Sequence, residues 1–191
     1  MDHTYTFGGN MKMSEGISQS ASMGDILIQN IHGATGVRKA TEAEDRSGTD
    51  WWVDHSRGVP FSIDAKVRRE DYSVKPEPLR ADDLALEIWS VIGQKRLDGT
   101  CKPVEIVGWT LNDKKRTDYV LWFWKDTRRF CLVPFPLLLA VFREQKDAWC
   151  AKYKSSQQFT EKRTQCFQGW WSQCVFVPRR EVWAAIYRKF A

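Results

Sequence analysis

The sequence predicts an α+β fold in a single domain of residues 13–191, after a flexible N-terminal segment of residues 1–12. Three observations lead to this fold class: a helical stripe near the N-terminus, short β-branched and aromatic runs in the middle, and two proline-opened helices towards the C-terminus. The expected order is a helix, a mixed but mostly antiparallel central sheet, and then helix, strand and helix. A chain of 191 residues is long enough for one real core.

Apolar or small residues recur at every third or fourth position between Met13 and Ile31, which predicts a helix with one buried face. These residues are Met13, Ile17, Ala21, Gly24, Ile28 and Ile31. Asp25 flanks the stripe. A short extended piece is expected at Val37–Ala40, and the acidic stretch that follows at residues 42–45 predicts a solvated connection.

Two short strands are predicted at Asp50–His55 and Val59–Val67, joined by a turn at Ser56-Arg57-Gly58. Folding back on this turn sets His55 opposite Val59 and, further along the ladder, sets Asp50 opposite Asp64. Lys66 follows Asp64 on the same face of its strand. Two carboxylates this close repel each other, so a divalent cation between them is the arrangement that fits best. The alternative without a functional site is a solvated sheet edge or a cross-strand ion pair.

Further elements are predicted from periodicity and from turn and proline signals. Strands are expected at Leu84–Ile92, Thr117–Trp124, Arg129–Val133 and Cys174–Val177. Helices are expected from Pro136 to about Tyr153 and from Pro178 to Phe190, and a polar loop at Lys154–Gly169.

Asp50, then thirteen residues, then Asp64-Ala65-Lys66 at the end of a β-branched strand resembles the signature of the PD-(D/E)XK, or restriction-endonuclease-like, nucleases. The stretch from Gly108-Trp109 to Thr117-Asp118-Tyr119, with the hairpin after it, is similar to small phage and plasmid members of that superfamily. The chain departs from the family pattern at two positions. Thr49 stands in place of the name-giving proline, and the second acid is Asp rather than the more usual Glu.

The resemblance implies a metal-dependent nuclease in which Asp50, Asp64 and the Ala65 carbonyl bind Mg²⁺ or Mn²⁺ and Lys66 serves the attacking water. A helix before the hairpin often carries a further acid in this family, which makes Asp25 a candidate third metal ligand. Glu87 lies among apolar neighbours in its predicted strand and needs a partner. It either joins the metal and water cluster as a catalytic residue or pairs with Lys66 or Arg68 across the sheet.

Basic and polar residues near the predicted site are candidates for binding nucleic-acid phosphates, which gives salt-sensitive affinity with little sequence information. They are Arg68, Arg69, Gln94, Lys95, Lys114, Lys115 and Arg116. The net charge of +5 and the clustering of basic residues also favour a polyanionic partner, with DNA as the expected substrate. A homodimer is a further expectation, because many nucleases that cut both strands dimerise.

The remaining composition points to a cytoplasmic protein without a membrane segment. Five cysteines without a CxxC pair or a secretory leader predict reduced thiols, and no apolar run approaches the ~20 residues of a membrane span. The alternative function is a non-catalytic factor of phage type, on the same fold, that binds nucleic acid or protein. Such a factor explains the basic clusters and needs no metal.

Overall fold

The computed structural model describes residues 21–68, 83–95, 101–163 and 168–191, and the α+β class is confirmed by its helices and its mixed sheet. The strands form two sheets rather than one central sheet. The chain divides into two compact units, which are described separately. The five-stranded unit contains the described residues of 12–79 and 114–137, and the four-stranded unit contains those of 80–113 and 138–191.

The five-stranded unit carries the predicted hairpin. Its elements are α1 (Ala21–Asn30), β1 (Ala34–Lys39), α2 (Glu42–Arg46), β2 (Trp51–His55), β3 (Phe61–Arg68), β6 (Tyr119–Trp124) and β7 (Arg129–Pro134). The strand order is β1-β2-β3-β6-β7, in which β3 and β6 run parallel and every other pair is antiparallel. The sheet is therefore mixed and mostly antiparallel, as the sequence predicts.

The parallel pairing of β3 with β6 is fixed at its start by Asp118. The Asp118 carboxylate accepts hydrogen bonds from the Ser62 backbone nitrogen at 2.7 Å and from the Ser62 hydroxyl at 2.8 Å. The Asp118 N–H in turn donates to the Ser62 hydroxyl at 2.9 Å. These contacts set the register in which Asp64 lies beside Val120 and Lys66 beside Trp122.

The two faces of β3 differ in chemistry because successive side chains of a strand point to opposite sides. Ile63, Ala65 and Val67 belong to one buried cluster with Met23 and Leu27 of α1. The alternate residues of β3, which include the predicted Asp64 and Lys66, therefore lie on the face away from α1. The apolar face holds the strand in place and the polar face carries the candidate site.

The four-stranded unit is fully antiparallel, with the order β5-β4-β9-β8. Its elements are β4 (Asp83–Lys95), β5 (Cys101–Val107), a 3-10 turn (Trp109–Leu111), α3 (Phe135–Lys152), β8 (Ser155–Arg163), β9 (Gln168–Pro178) and α4 (Arg179–Phe190). The unit boundary falls within α3, at Leu137. Leu84 and Leu86 of β4 pair with Val177 and Val175 of β9, and all four are fully buried.

One prediction about local structure is wrong. Lys154–Gly169 is not a polar loop, because Ser155–Arg163 forms β8 and pairs with β9. The acidic stretch after β1 forms the short helix α2, which begins with a capping box between Thr41 and Glu44 and has no buried residue, in agreement with the predicted solvated connection. The predictions for residues 1–20 lie outside the described residues. Among the helices that the structure describes, none combines the length and apolar character needed to cross a membrane.

Candidate active site

The β2–β3 hairpin has the predicted register. Trp51 pairs with Ile63, Trp52 with Ser62 and Val53 with Phe61. Continuing this ladder by one step places Asp50 opposite Asp64, and the Asp50 N–H donates to the Ile63 carbonyl at 2.8 Å. The sequence prediction that the hairpin brings these two acids together is confirmed.

The two carboxylates are held by different donors. Oδ2 of Asp50 accepts a hydrogen bond from the Ala65 N–H at 2.7 Å. Asp64 is only 3% exposed, and its Oδ2 lies 2.9 Å from Nζ of Lys66 and 2.9 Å from Nζ of Lys115. Asp64 is thus a buried acid with two ammonium groups on one oxygen, whereas Asp50 is bound by a neutral backbone donor.

Lys115 is part of this cluster and not an exposed phosphate ligand, which corrects the sequence prediction for this residue. Its side chain is 6% exposed, against 33% for Lys66. Besides the contact with Asp64, Nζ of Lys115 donates to the Gly48 carbonyl at 3.0 Å. A buried ammonium is stable only when it is paired and hydrogen-bonded, and Lys115 satisfies both conditions.

The segment before Asp50 is tied to the backbone around Lys115. The Arg116 N–H donates to the Ser47 carbonyl at 2.8 Å, and the hydroxyl of the buried Thr49 donates to the Arg116 carbonyl. Thr49 therefore uses a hydroxyl that a proline at this position would lack. These bonds hold the Lys115 backbone and the Asp50 backbone in one arrangement.

Gly48 leaves the space that the Lys115 side chain occupies. It has a φ of +102°, and a Cβ placed there would lie 2.6 Å from Nζ of Lys115 and 2.7 Å from its Cγ. Glycine is therefore required twice at this position, by the backbone conformation and by the close approach of the lysine.

The charges of the cluster separate the pKa values of the two acids. Loss of solvation and the neighbouring Asp64 carboxylate raise the pKa of Asp50 to about 7. Burial acts in the same direction on Asp64, but the ammonium groups of Lys66 and Lys115 outweigh it and hold the pKa of Asp64 at about 2. Burial lowers the pKa of Lys115, and the attraction of Asp64 opposes that shift. Near neutral pH Asp64 is ionised and Asp50 exchanges a proton.

The donor set suits a hard divalent cation. Two adjacent carboxylates supply the hard oxygen ligands that such a cation prefers. Mg²⁺ is commonly bound through one or two carboxylates and keeps several waters, so a full set of protein ligands is unnecessary. Within the described residues, no group of three or more Asp, Glu, His or Cys side chains could hold a metal.

Asp25 does not join Asp50 and Asp64 as a third acid, which corrects its assignment as a metal ligand. It lies on α1 in the same unit, but its side chain is exposed, and no three-acid metal group is found in the described ranges. The residues of α1 that contact the sheet are apolar, and they pack on the face of β3 opposite to Asp64.

Glu87 lies on β4 of the four-stranded unit and has hydrogen-bond partners there. Its Oε1 accepts from the Ser90 hydroxyl at 2.8 Å and from the Trp109 N–H at 3.3 Å. Its backbone N–H donates to the Thr110 hydroxyl at 2.9 Å. These bonds join β4 to the Trp109–Leu111 turn, and a catalytic role for Glu87 stays a prediction.

The predicted phosphate-binding residues are spread over both units. Arg68 is half-buried near the end of β3, and Lys114 and Arg116 are exposed on either side of Lys115. Gln94 and Lys95 end β4, with side chains outside the described set, and Arg69 lies outside the described residues.

Comparisons with protein-family models, with curated proteins and with solved structures found no match to this chain.

Proposed function

We propose that this protein is a metal-dependent nuclease of the PD-(D/E)XK type that hydrolyses phosphodiester bonds of nucleic acid, with DNA as the expected substrate. The observation that carries the proposal is the pair of adjacent carboxylates, Asp50 and Asp64, with the Lys66 ammonium 2.9 Å from Asp64 on the exposed side of the cluster. Burying the charged Asp64 and Lys115 side chains costs solvation free energy, and clusters of this kind with perturbed pKa values are frequent at functional sites.

Asp50 and Asp64 are the residues that would hold Mg²⁺ or Mn²⁺, together with the Ala65 carbonyl. When bound, the cation supplies Lewis-acid stabilisation of the phosphate and lowers the pKa of a water. Asp50 would hold the cation in its ionised form, because a carboxylate binds metal only when ionised. Lys66 is exposed enough to leave Asp64, orient the attacking water and stabilise the negative charge that develops on the phosphate.

Arg68 would contact a phosphate beside the scissile one, because it lies two residues beyond Lys66 on the same face of β3. The exposed Lys114 and Arg116 are further candidates. Contacts of this kind position a nucleic acid without reading its bases, so sequence-independent binding is expected. We place the protein in the cytoplasm, where the thiols of Cys131, Cys150 and Cys174 would stay reduced.

One observation favours a second candidate, a binding module that uses the same surface without a metal. Two ammonium groups already balance the two carboxylates, so the cluster carries no net negative charge when both acids are ionised and is positive when Asp50 is protonated. A protein that only binds nucleic acid through Arg68, Lys114 and Arg116 needs no further cation. The two candidates differ in whether Mg²⁺ or Mn²⁺ is required.

The deciding experiment incubates the full-length protein with single-stranded, double-stranded and branched DNA and with RNA, in Mg²⁺, in Mn²⁺ and in EDTA. Asp64→Asn and Lys66→Ala are the test variants. Asp54→Asn and Lys39→Ala are matched controls, since both residues are exposed on neighbouring strands of the same sheet. We expect metal-dependent cutting by the wild type and the controls and none by the test variants. Binding without cutting in every metal, unaffected by either test substitution, would leave the binding module.

A further inference from the structure

The Lys115 ammonium has a fixed position in the site, and its surroundings explain why. It lies between Asp64 Oδ2 at 2.9 Å and the Gly48 carbonyl at 3.0 Å, and it is 6.0 Å from the centre of the Phe135 ring. The side chain is almost fully buried, so the ammonium depends on these partners rather than on water.

Lys66 and Lys115 contact the same oxygen but differ in mobility. Lys66 is one-third exposed and extends from a strand, so its side chain can turn towards the solvent. Lys115 is held by its own burial and by the bonds that join Arg116 to Ser47 and Thr49. In the proposed function Lys66 is therefore the lysine that turns to the substrate, and Lys115 is a permanent part of the site.

We propose that Lys115 is a built-in cation that holds Asp64 Oδ2 in place of a second metal ion, so that the site takes a single divalent cation. The inference rests on the proposed nuclease function and goes beyond it by assigning the number of metals and a positioning residue. In two-metal sites the ions lie about 3.5–4 Å apart and share a carboxylate. The Lys115 ammonium already occupies one oxygen of the carboxylate that two ions would share.

Charge arithmetic supports one metal. Two ionised carboxylates and two ammonium groups sum to zero, so one divalent cation leaves the cluster at +2 and a second would leave it at +4. Like charges a few ångströms apart in a poorly solvated site repel strongly. A second ion is therefore disfavoured while Lys115 is charged and in place.

The test measures Mn²⁺ binding to the full-length, metal-free protein by electron paramagnetic resonance, without substrate. Asp64→Asn defines which ions belong to this site, since only ions lost in that variant are counted. We expect one such Mn²⁺ in the wild type. In Lys115→Met, which removes the charge and keeps the length, we expect either a second ion or affinity for the first raised roughly tenfold or more.

Two further variants separate charge from structure. Lys115→Arg keeps the charge, so its Mn²⁺ affinity should stay close to that of the wild type. Lys66→Met removes a mobile charge and should raise the affinity less than Lys115→Met does, while it abolishes cutting. The wild-type count of ions needs no variant of Lys115, so it tests the proposal even if Lys115→Met does not fold.

Two results would overturn the inference alone: two Mn²⁺ ions at this site in the wild type, or a folded Lys115→Met protein with unchanged affinity and one ion. Absence of any Mn²⁺ that Asp64→Asn removes would overturn the metal-dependent function and the inference with it. The two failures are thus distinguishable by the wild-type measurement.

Discussion

Asp64 and Glu87 are both acids within apolar strands, one in each unit, and the protein neutralises them in different ways. Asp64 is balanced by two ammonium groups, at 2.9 Å each, and lies next to a second acid. The Glu87 side chain accepts hydrogen bonds from a serine hydroxyl and a backbone N–H. Loss of solvation must be compensated at an acid, and Asp64, at 3% exposure, is the more deeply buried of the two.

The surroundings of Asp64 and of Glu87 differ in the chemistry that they allow. The donors to Glu87 belong to β4 and to the turn after β5, so the bonds join two parts of one unit. The charged neighbours of Asp64 include Lys66, whose side chain is one-third exposed, and the pKa of the adjacent Asp50 is raised to about 7. A carboxylate pair with a shifted pKa and a partly exposed ammonium has the properties of an acid–base or metal site, whereas hydrogen bonds from a serine hydroxyl and a backbone N–H are typical of a structural contact.

The largest expected effect is on activity. Asp64→Asn should reduce cutting by roughly a thousandfold or more, because losing a carboxylate that binds the metal removes several kcal/mol of transition-state stabilisation. Glu87→Gln keeps the acceptor oxygen and should leave the rate within about threefold of the wild type, as expected for a group that makes the same bonds in ground and transition states. The measurement is single-turnover cleavage of one labelled DNA in Mg²⁺. A folded Glu87→Gln protein that cuts no better than Asp64→Asn would place Glu87 in the chemistry and break the comparison.

Substitutions of Asp64 and Glu87 should also differ in how much they lower the free energy of unfolding. Asp64→Ala leaves the buried Lys115 ammonium without its carboxylate and should lower the free energy of unfolding by about 3–5 kcal/mol. Glu87→Ala removes the acceptor for two neutral donors and should cost about 1–3 kcal/mol. Urea unfolding of both variants provides the comparison, with Asp54→Ala as the exposed control. Equal losses at the two positions would mean that the ammonium groups do not depend on Asp64.

The hairpin was predictable from sequence and the second lysine was not, for physical reasons. The Ser56-Arg57-Gly58 turn and the alternation along β3 fix the register locally, so the pairing of Asp50 with Asp64 follows from nearby residues. Lys115 reaches Asp64 only because β6 lies parallel to β3, with Ser62 and Asp118 in contact, and a parallel pairing depends on residues far apart in sequence. In the sequence, Lys114-Lys115-Arg116 resembles a solvated basic cluster, so nothing local indicates that Lys115 is buried.

β8 and the second sheet were missed for a related reason. The residues of β8, SSQQFTEKR, show no apolar alternation, so nothing local distinguishes them from a polar loop. The strand forms because β9 offers a free edge for pairing. Likewise, the split of the two aspartate pKa values depends on burial and on Lys115, and neither follows from the spacing of the acids.

The pH dependence of the free energy of unfolding tests the raised pKa of Asp50 beside Asp64. The pKa of Asp50 is raised from 3.8 to about 7 in the folded protein, so the folded state binds more protons than the unfolded state between these values. Its contribution to stability is therefore present below about pH 4 and is lost as the pH rises to about 7, by at most about 1.4 kcal/mol per pH unit. Asp50→Asn should flatten this decline in metal-free urea unfolding, and Asp54→Asn should not. An unchanged slope in Asp50→Asn would show that Asp50 does not hold the proton.

The smallest expected effect concerns the packing that fixes Lys115, and two glycines provide a matched pair. Gly48 and Gly58 have φ values of +102° and +84°, so alanine is strained at both positions. An added Cβ at Gly58 meets no atom within 4 Å, whereas one at Gly48 lies 2.6 Å from Nζ of Lys115. Gly58→Ala should thus cost about 1 kcal/mol from backbone strain alone, and Gly48→Ala should cost about 1–3 kcal/mol more, from the displaced lysine. Thermal unfolding of the two variants measures the difference. Equal midpoints would mean that Lys115 leaves its position at little cost, which would remove the contrast between a fixed and a movable lysine at Asp64.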